Sequence, residues 1–158
     1  DALFAEAAAA FGPLAGAANL CGSLLLKPAH LTTQAEFEQT IALSLASAFA
    51  AVRAAGKTLA AQPDGGSVGL AMSAAATYAA KRVRVNCVAP GLVRTPLTAR
   101  ITGSPSAEQA SVAMHALGRL GEPDDVAAMM AHLLGPDAAW ITGQVIGVDG
   151  GLATVRSR

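Results

Sequence analysis

Three observations predict an α/β fold, a doubly wound parallel sheet with helices on both faces. Helical and extended patterns alternate along the chain. The apolar run at residues 83–88 leads into Pro90-Gly91 and then a hydroxyl at Thr95, and a second apolar run at 144–148 ends on Asp149-Gly150-Gly151. Parallel strands that end in such loops deliver backbone to a ligand at the carboxyl edge of the sheet.

The elements follow in order. Leu3, Phe4, Ala7, Ala8 and Phe11 recur at helical spacing until Gly12-Pro13 ends the helix, and residues 14–20 read as a short buried strand with a loop opening at Gly22. Thr33 with Glu36 three residues later has the form of a capping box. Phe37, Ile41, Leu45, Ala48, Phe49, Val52 and Leu59 then mark one long crossover helix to about residue 61. Pro63-Asp64-Gly65-Gly66 closes it, after which 67–70 reads as a strand, 72–81 as a helix and 83–88 as the next strand. Pro90 lacks an amide proton and Gly91 tolerates angles closed to other residues, so pairing is expected to stop there. Helices are predicted at 104–117 and 123–134, the second started by Glu122-Pro123, and a last strand at 144–148.

Composition narrows the function. The 158 residues suit one domain, and 53% hydrophobic with 14% charged residues describe a chain that buries much of itself. Basic and acidic residues balance at 11 each, which gives no support to a nucleic-acid or anionic-membrane partner. No apolar run reaches membrane-spanning length. The chain starts at Asp1 inside a helical pattern, without an initiator Met or a signal peptide, and is read as lacking the start of its gene product. Cys21 and Cys87 lie far apart without metal-binding spacing and are expected to be buried reduced thiols in a reducing cytoplasm; His30, His115 and His132 share no spacing with carboxylates or thiols, so no metal site is expected.

Two ordered stretches carry a family resemblance. Val83-Arg84-Val85-Asn86-Cys87-Val88-Ala89-Pro90-Gly91, continuing to Thr95, resembles the sixth strand and following loop of short-chain dehydrogenases/reductases. Residues 117–127, Leu-Gly-Arg-Leu-Gly-Glu-Pro-Asp-Asp-Val-Ala, followed by residues 141–151, are similar to the carboxyl-terminal signature of that family. The resemblance implies a Rossmann-like fold, NAD or NADP as cofactor and a small alcohol or carbonyl as substrate. It places Pro90, Gly91, Val93 and Thr95 on the nicotinamide side. Asn19 and Gly22, in a loop reading Asn-Leu-Cys-Gly where the family has Asn-Asn-Ala-Gly, fall on the adenosine side. Residues 104–117 resemble the family's substrate lid, with Met114 and Leu117 as apolar contacts. A symmetric dimer or tetramer is implied, joined through the long helix and the strand edge at residues 140–148.

The same resemblance marks what these residues lack. The Gly-rich cofactor turn would precede Asp1, and the family's Ser and Tyr-x-x-x-Lys would fall between Val68 and Met72, so the expectation is a single domain over 1–158, incomplete at both places. Either the gene lacks the segment or these are pieces of a longer chain; the second is preferred, because a parallel core without its first strands exposes apolar surface. The single tyrosine, Tyr78, is followed by Lys81 at three residues rather than four, and both are read as structural. Ser44 stands where the family has a helix Asn that supports a water relay, a candidate weaker in hydrogen-bonding groups than an amide. Two functions remain open from sequence: an NAD(P)-dependent oxidoreductase, or a catalytically silent homologue acting as a partner subunit.

Overall fold

The extended run from Val83 to Pro90 changes partner halfway along its length. In the computed structural model, which describes residues 2–23, 25, 27–63, 66–68 and 72–155, strand β1 (Gly16–Ala17) pairs in parallel with β2 (Gly66–Val68), and β2 with β3 (Val83–Val85), Val68 lying opposite Val85. One residue later β4 (Cys87–Pro90) pairs in parallel with β5 (Val145–Val148), Cys87 opposite Val145 and Pro90 opposite Val148.

Asn86, buried at the switch, satisfies the backbone there. Its amide nitrogen donates to the Ile141 carbonyl at 2.9 Å and its oxygen accepts from the Gln144 amide at 3.2 Å. The Val85 amide donates to Thr142 Oγ1 at 3.1 Å, and the Gly143 amide to the Val85 carbonyl at 2.7 Å. Buried backbone groups need such partners wherever a ladder is interrupted.

Helices flank both faces. On one side lie α1 (Ala2–Phe11), α3 (Ser47–Ala60) and α4 (Met72–Tyr78), and on the other α7 (Pro123–Leu134), which touches β2, β4 and β5. Strand alternation divides the side chains: Val83 and Val85 join the buried core of Ala55, Leu59 and Ala75, while Arg84 points the opposite way and donates to the Leu133 carbonyl at 2.8 Å and the Gly135 carbonyl at 3.3 Å. A guanidinium thereby caps the carboxyl end of α7, where the carbonyls lack intrahelical partners.

The long helix is not uniform. Helix α2 (Gln34–Ile41) opens with the expected capping box, the Glu36 amide donating to Thr33 Oγ1 at 3.3 Å and Glu36 accepting from the Thr33 amide at 2.8 Å. A π-helical stretch, Ala42–Ala46, joins it to α3. No helix among the described residues is long and apolar enough to cross a membrane.

Several boundaries differ from those expected. The strand predicted over 14–20 shrinks to two residues: before it the Gln62 side chain accepts the Leu14 amide at 2.9 Å and donates to the Leu14 carbonyl at 2.8 Å, and after it the Asn19 side-chain oxygen accepts the Cys21 amide at 3.2 Å. Cys21 is consequently exposed and Cys87 half-buried, so the expectation of two buried thiols is corrected. The helix predicted over 104–117 runs as α6 (Pro105–Met114), preceded by a short α5 (Ala99–Thr102), and stops where His115 turns extended. Met114 and Leu117 are exposed. The strand predicted at 67–70 is seen as Gly66–Val68; residues 69–71, where a segment is expected to be missing, lie outside the described residues.

Candidate functional site

Two cavities are lined by residues that follow β1 and β4. Asn19, Gly22 and Pro90 line the first, of about 410 Å³, together with Cys21, Asn86 and Met130. Gly91 and Val93 line the second, of about 460 Å³, with His115, Arg119 and Asp149. The structure brings five of the six expected cofactor residues to these two cavities, the second of which lies at the carboxyl edge of the strands, where α/β sheets receive ligands. Thr95 lines neither cavity.

The loop after β4 is held from several directions. The Gly91 amide donates to the Val148 carbonyl at 3.1 Å, extending the ladder one step beyond Pro90. Val93 bridges Gly121, with the Gly121 amide donating to the Leu92 carbonyl at 3.0 Å and the Arg94 amide to the Gly121 carbonyl at 2.9 Å. The Arg94 side chain pairs with Glu108 of α6 and, at 3.1 Å, with Glu122 at the start of α7. This pairing holds the Glu108 carboxyl below its ordinary range. These ion pairs are exposed and screened by solvent, so each adds little to stability. Their use is geometric, since one guanidinium ties the loop to two helices.

Glycine is required at position 91. A Cβ there would lie 2.9 Å from Asp149 Cα and 3.0 Å from both the Asp149 carbonyl oxygen and His115 Nε2. Asp149 accepts the Gly151 amide at 3.0 Å and the Ala153 amide at 2.9 Å. Those amides, that of Ala153 foremost, hold its carboxyl below the usual aspartate range. Gly150 and Gly151, at φ of 58° and 84°, supply the left-handed turn that brings Asp149 back on its own chain.

Thr95 spends most of its hydrogen-bonding capacity locally. Its hydroxyl lies 3.0 Å from Thr98 Oγ1 and accepts the Thr98 amide at 3.3 Å, while its own amide donates to Thr98 Oγ1 at 3.0 Å. Thr98 Oγ1 also donates to the Val93 carbonyl. With its proton shared with Thr98, the Thr95 hydroxyl keeps one lone pair, which suits an N–H donor such as a carboxamide.

Ser44 sits in the π-helical stretch and accepts the Ser23 amide at 3.2 Å, the two hydroxyls lying 3.4 Å apart. It therefore braces the strand-end loop containing Asn19 and Gly22 and lines neither cavity. Single π turns inside α-helices recur at functional sites. Tyr78 packs against the core beside Ala55 and Leu59, its ring over Gly56, where a Cβ would fall 2.6 Å from the ring. That position agrees with its reading as structural.

Sequence reasoning missed His115, Asp149 and Thr98 as loop-fixing residues. Thr98 had a legible signal, a threonine three residues after Thr95 in a loop. His115 had none, since the Leu92 amide that it accepts lies 23 residues away.

Known proteins extend these observations. A family model described as enoyl-(acyl carrier protein) reductase matches residues 65–153. Galactitol 2-dehydrogenase (L-tagatose-forming) of Cereibacter sphaeroides is 31% identical over 174 aligned positions, covering 93% of this chain and 68% of its own length. The alignment is longer than this chain, so the relative carries residues with no counterpart here. Of the first curated relatives it matches, the chain spans only 39%, 32% and 29% of their length. Among solved structures, a short-chain type dehydrogenase/reductase from Mycobacterium ulcerans superposes with a TM-score of 0.91 at 28% identity, over 99% of this chain and 66% of that one. A blue fluorescent protein from a metagenomic library, solved in complex with NADPH, does so with a TM-score of 0.84 at 25% identity, over 96% and 70%. The sheet order, the Pro90-Gly91 loop, the Asp149-Gly150-Gly151 turn and these likenesses agree: the chain belongs to the short-chain dehydrogenase/reductase family.

Proposed function

We propose that this chain is part of an NAD(P)-dependent oxidoreductase that interconverts an alcohol and a carbonyl by hydride transfer. The observation that carries the reading is that Asn19, Gly22 and Pro90 line one cavity, which runs along β4 from Asn86 to Pro90, while Gly91 and Val93 line a second at the carboxyl ends of β4 and β5. The NADPH held by one similar structure supports the choice of cofactor.

The residues present fit the cofactor in part. A Cβ at Gly22 would meet nothing within 4 Å, leaving room for a ligand against the backbone. The Asn19 oxygen is used by the Cys21 amide, so its NH2 remains to donate. Thr95 offers one lone pair beside the Gly91 loop. When bound, the nicotinamide gives or takes the hydride; the residues of this chain orient it and hold water away. The proton that accompanies hydride transfer needs an acid beside the carbonyl oxygen. The only tyrosine, Tyr78, is packed on the core and is not assigned this role.

The single domain is accordingly proposed to be incomplete before Asp1 and between Val68 and Met72. A reducing cytoplasm is its proposed compartment and a symmetric oligomer its proposed assembly. The partner-subunit reading draws no support from the curated relatives, which are named as reductases and dehydrogenases.

The complete reading frame, followed by an NAD(P)H oxidation assay with a panel of carbonyl compounds, tests the proposal. A Gly-rich turn upstream of Asp1, a Ser and Tyr-x-x-x-Lys between Val68 and Met72, and carbonyl-dependent oxidation of NADH or NADPH are expected. A frame with neither motif, giving a protein without this activity, would overturn it.

A further inference from the structure

His115 is 3% exposed, and both of its ring nitrogens are engaged, each by a different element. Nε2 accepts the Leu92 amide at 3.2 Å, so the proton sits on Nδ1, which donates to the Ser111 carbonyl of α6 at 2.7 Å. The same ring closes on two glycines: a Cβ at Gly91 would meet Nε2 at 3.0 Å, and one at Gly150 would meet Cδ2 at 3.6 Å. Behind it, the Leu117 amide donates to the Gly150 carbonyl at 3.0 Å and the Gly118 amide to the His115 carbonyl at 2.9 Å. One imidazole therefore touches α6, the loop after β4 and the turn after β5.

We infer that His115 is a positioning residue for the cofactor loop, fixing the Gly91-Leu92 peptide plane and making dinucleotide affinity depend on the docking of α6. The peptide is planar and trans, so an N–H aimed at the imidazole turns the Gly91 carbonyl the opposite way. Loss of the Nε2 acceptor frees that plane to rotate, because Gly91 has no side chain to resist it. The inference rests on the proposed function only for the identity of the ligand.

Two near-isosteric variants separate the bonds. An asparagine amide reaches as far as Nδ1 and keeps the bond to Ser111; a glutamine amide reaches as far as Nε2 and keeps the bond from Leu92. In the full-length protein, hydrogen exchange at the Leu92 amide is measured for wild type, His115→Asn and His115→Gln, alongside titration with NADPH and NADH. The expected result is faster Leu92 exchange and about three- to tenfold weaker binding in His115→Asn, the size of one lost hydrogen bond, with both properties retained in His115→Gln. Unchanged Leu92 exchange in His115→Asn, or equal loosening of both variants throughout α6 and the core, would overturn the inference. A wild type that binds neither nucleotide would overturn the functional proposal, while the contrast in Leu92 exchange would still decide the role of His115.

Discussion

One methyl group added at Gly91 meets backbone on one side and the His115 ring on the other. Gly91→Ala is therefore expected to destabilise the fold by about 1–3 kcal/mol, the range for overpacking a well-filled site; a denaturation midpoint unchanged from wild type would contradict the described loop. Thr95→Val tests a different property. If its remaining lone pair accepts from the cofactor, dinucleotide binding should weaken by about 0.5–1.5 kcal/mol. Calorimetric titration with unchanged affinity for both NADPH and NADH would remove Thr95 from the site. Pro90, Gly91 and Thr95 were legible in sequence because their effects are local: a missing donor, a missing Cβ, a hydroxyl. His115 was not, because its value comes from Leu92, 23 residues away. Its dismissal as a metal ligand said nothing of its work as an acceptor.

At the scale of elements, the helix starts were legible and the irregularities were not. Helix α7 spans the residues expected of it, its first turn carrying Pro123 and an Asp125 carboxylate that accepts the Glu122 amide at 2.8 Å. Caps write themselves into short sequence windows. The π turn around Ser44 comes with a bond from the Ser23 amide, and the short β1 with side-chain bonds at Leu14 and Asn19, none of which periodicity registers. The α2 cap gives a pH test. Lys27, and after it the Thr33 backbone and hydroxyl, lower the Glu36 carboxyl from 4.5 to about 2. A depressed folded-state value means that this stabilisation is complete above pH 4.5 and is lost as pH falls through about 2. Acid titration of thermal stability should show a smaller loss over that window in Glu36→Gln than in wild type. Identical slopes would remove the Lys27–Glu36–Thr33 cluster from the account.

Across the whole molecule, Phe37 and Ile41 on α2, Leu45 in the π-helical stretch and Phe49 on α3 form an exposed apolar stripe at four-residue spacing, Phe49 being 68% exposed; Trp140, ahead of β5, is fully exposed. A stripe of that kind marks an interaction surface, and the proposed symmetric oligomer would cover it. Sedimentation of the full-length protein at micromolar concentration should show a dimer or larger, and Leu45→Glu with Phe49→Glu should shift it to monomer. A wild type that sediments only as monomer would contradict the proposal. The fold class was legible because alternating helix and strand patterns admit few arrangements. The switch of partner at Asn86 was not, since nothing in residues 83–88 distinguishes a strand paired on one side throughout from one that changes sides. The loops at residues 19–22 and 90–95 are proposed to receive a nicotinamide dinucleotide together. Amide chemical shifts of the full-length protein, followed while NADPH and then NADH are titrated in, test it most directly. Saturable shifts concentrated at Asn19, Gly22, Gly91, Val93 and Thr95 are expected with at least one of the two nucleotides; saturable binding that leaves these amides unmoved, or no binding of either nucleotide, would contradict this placement.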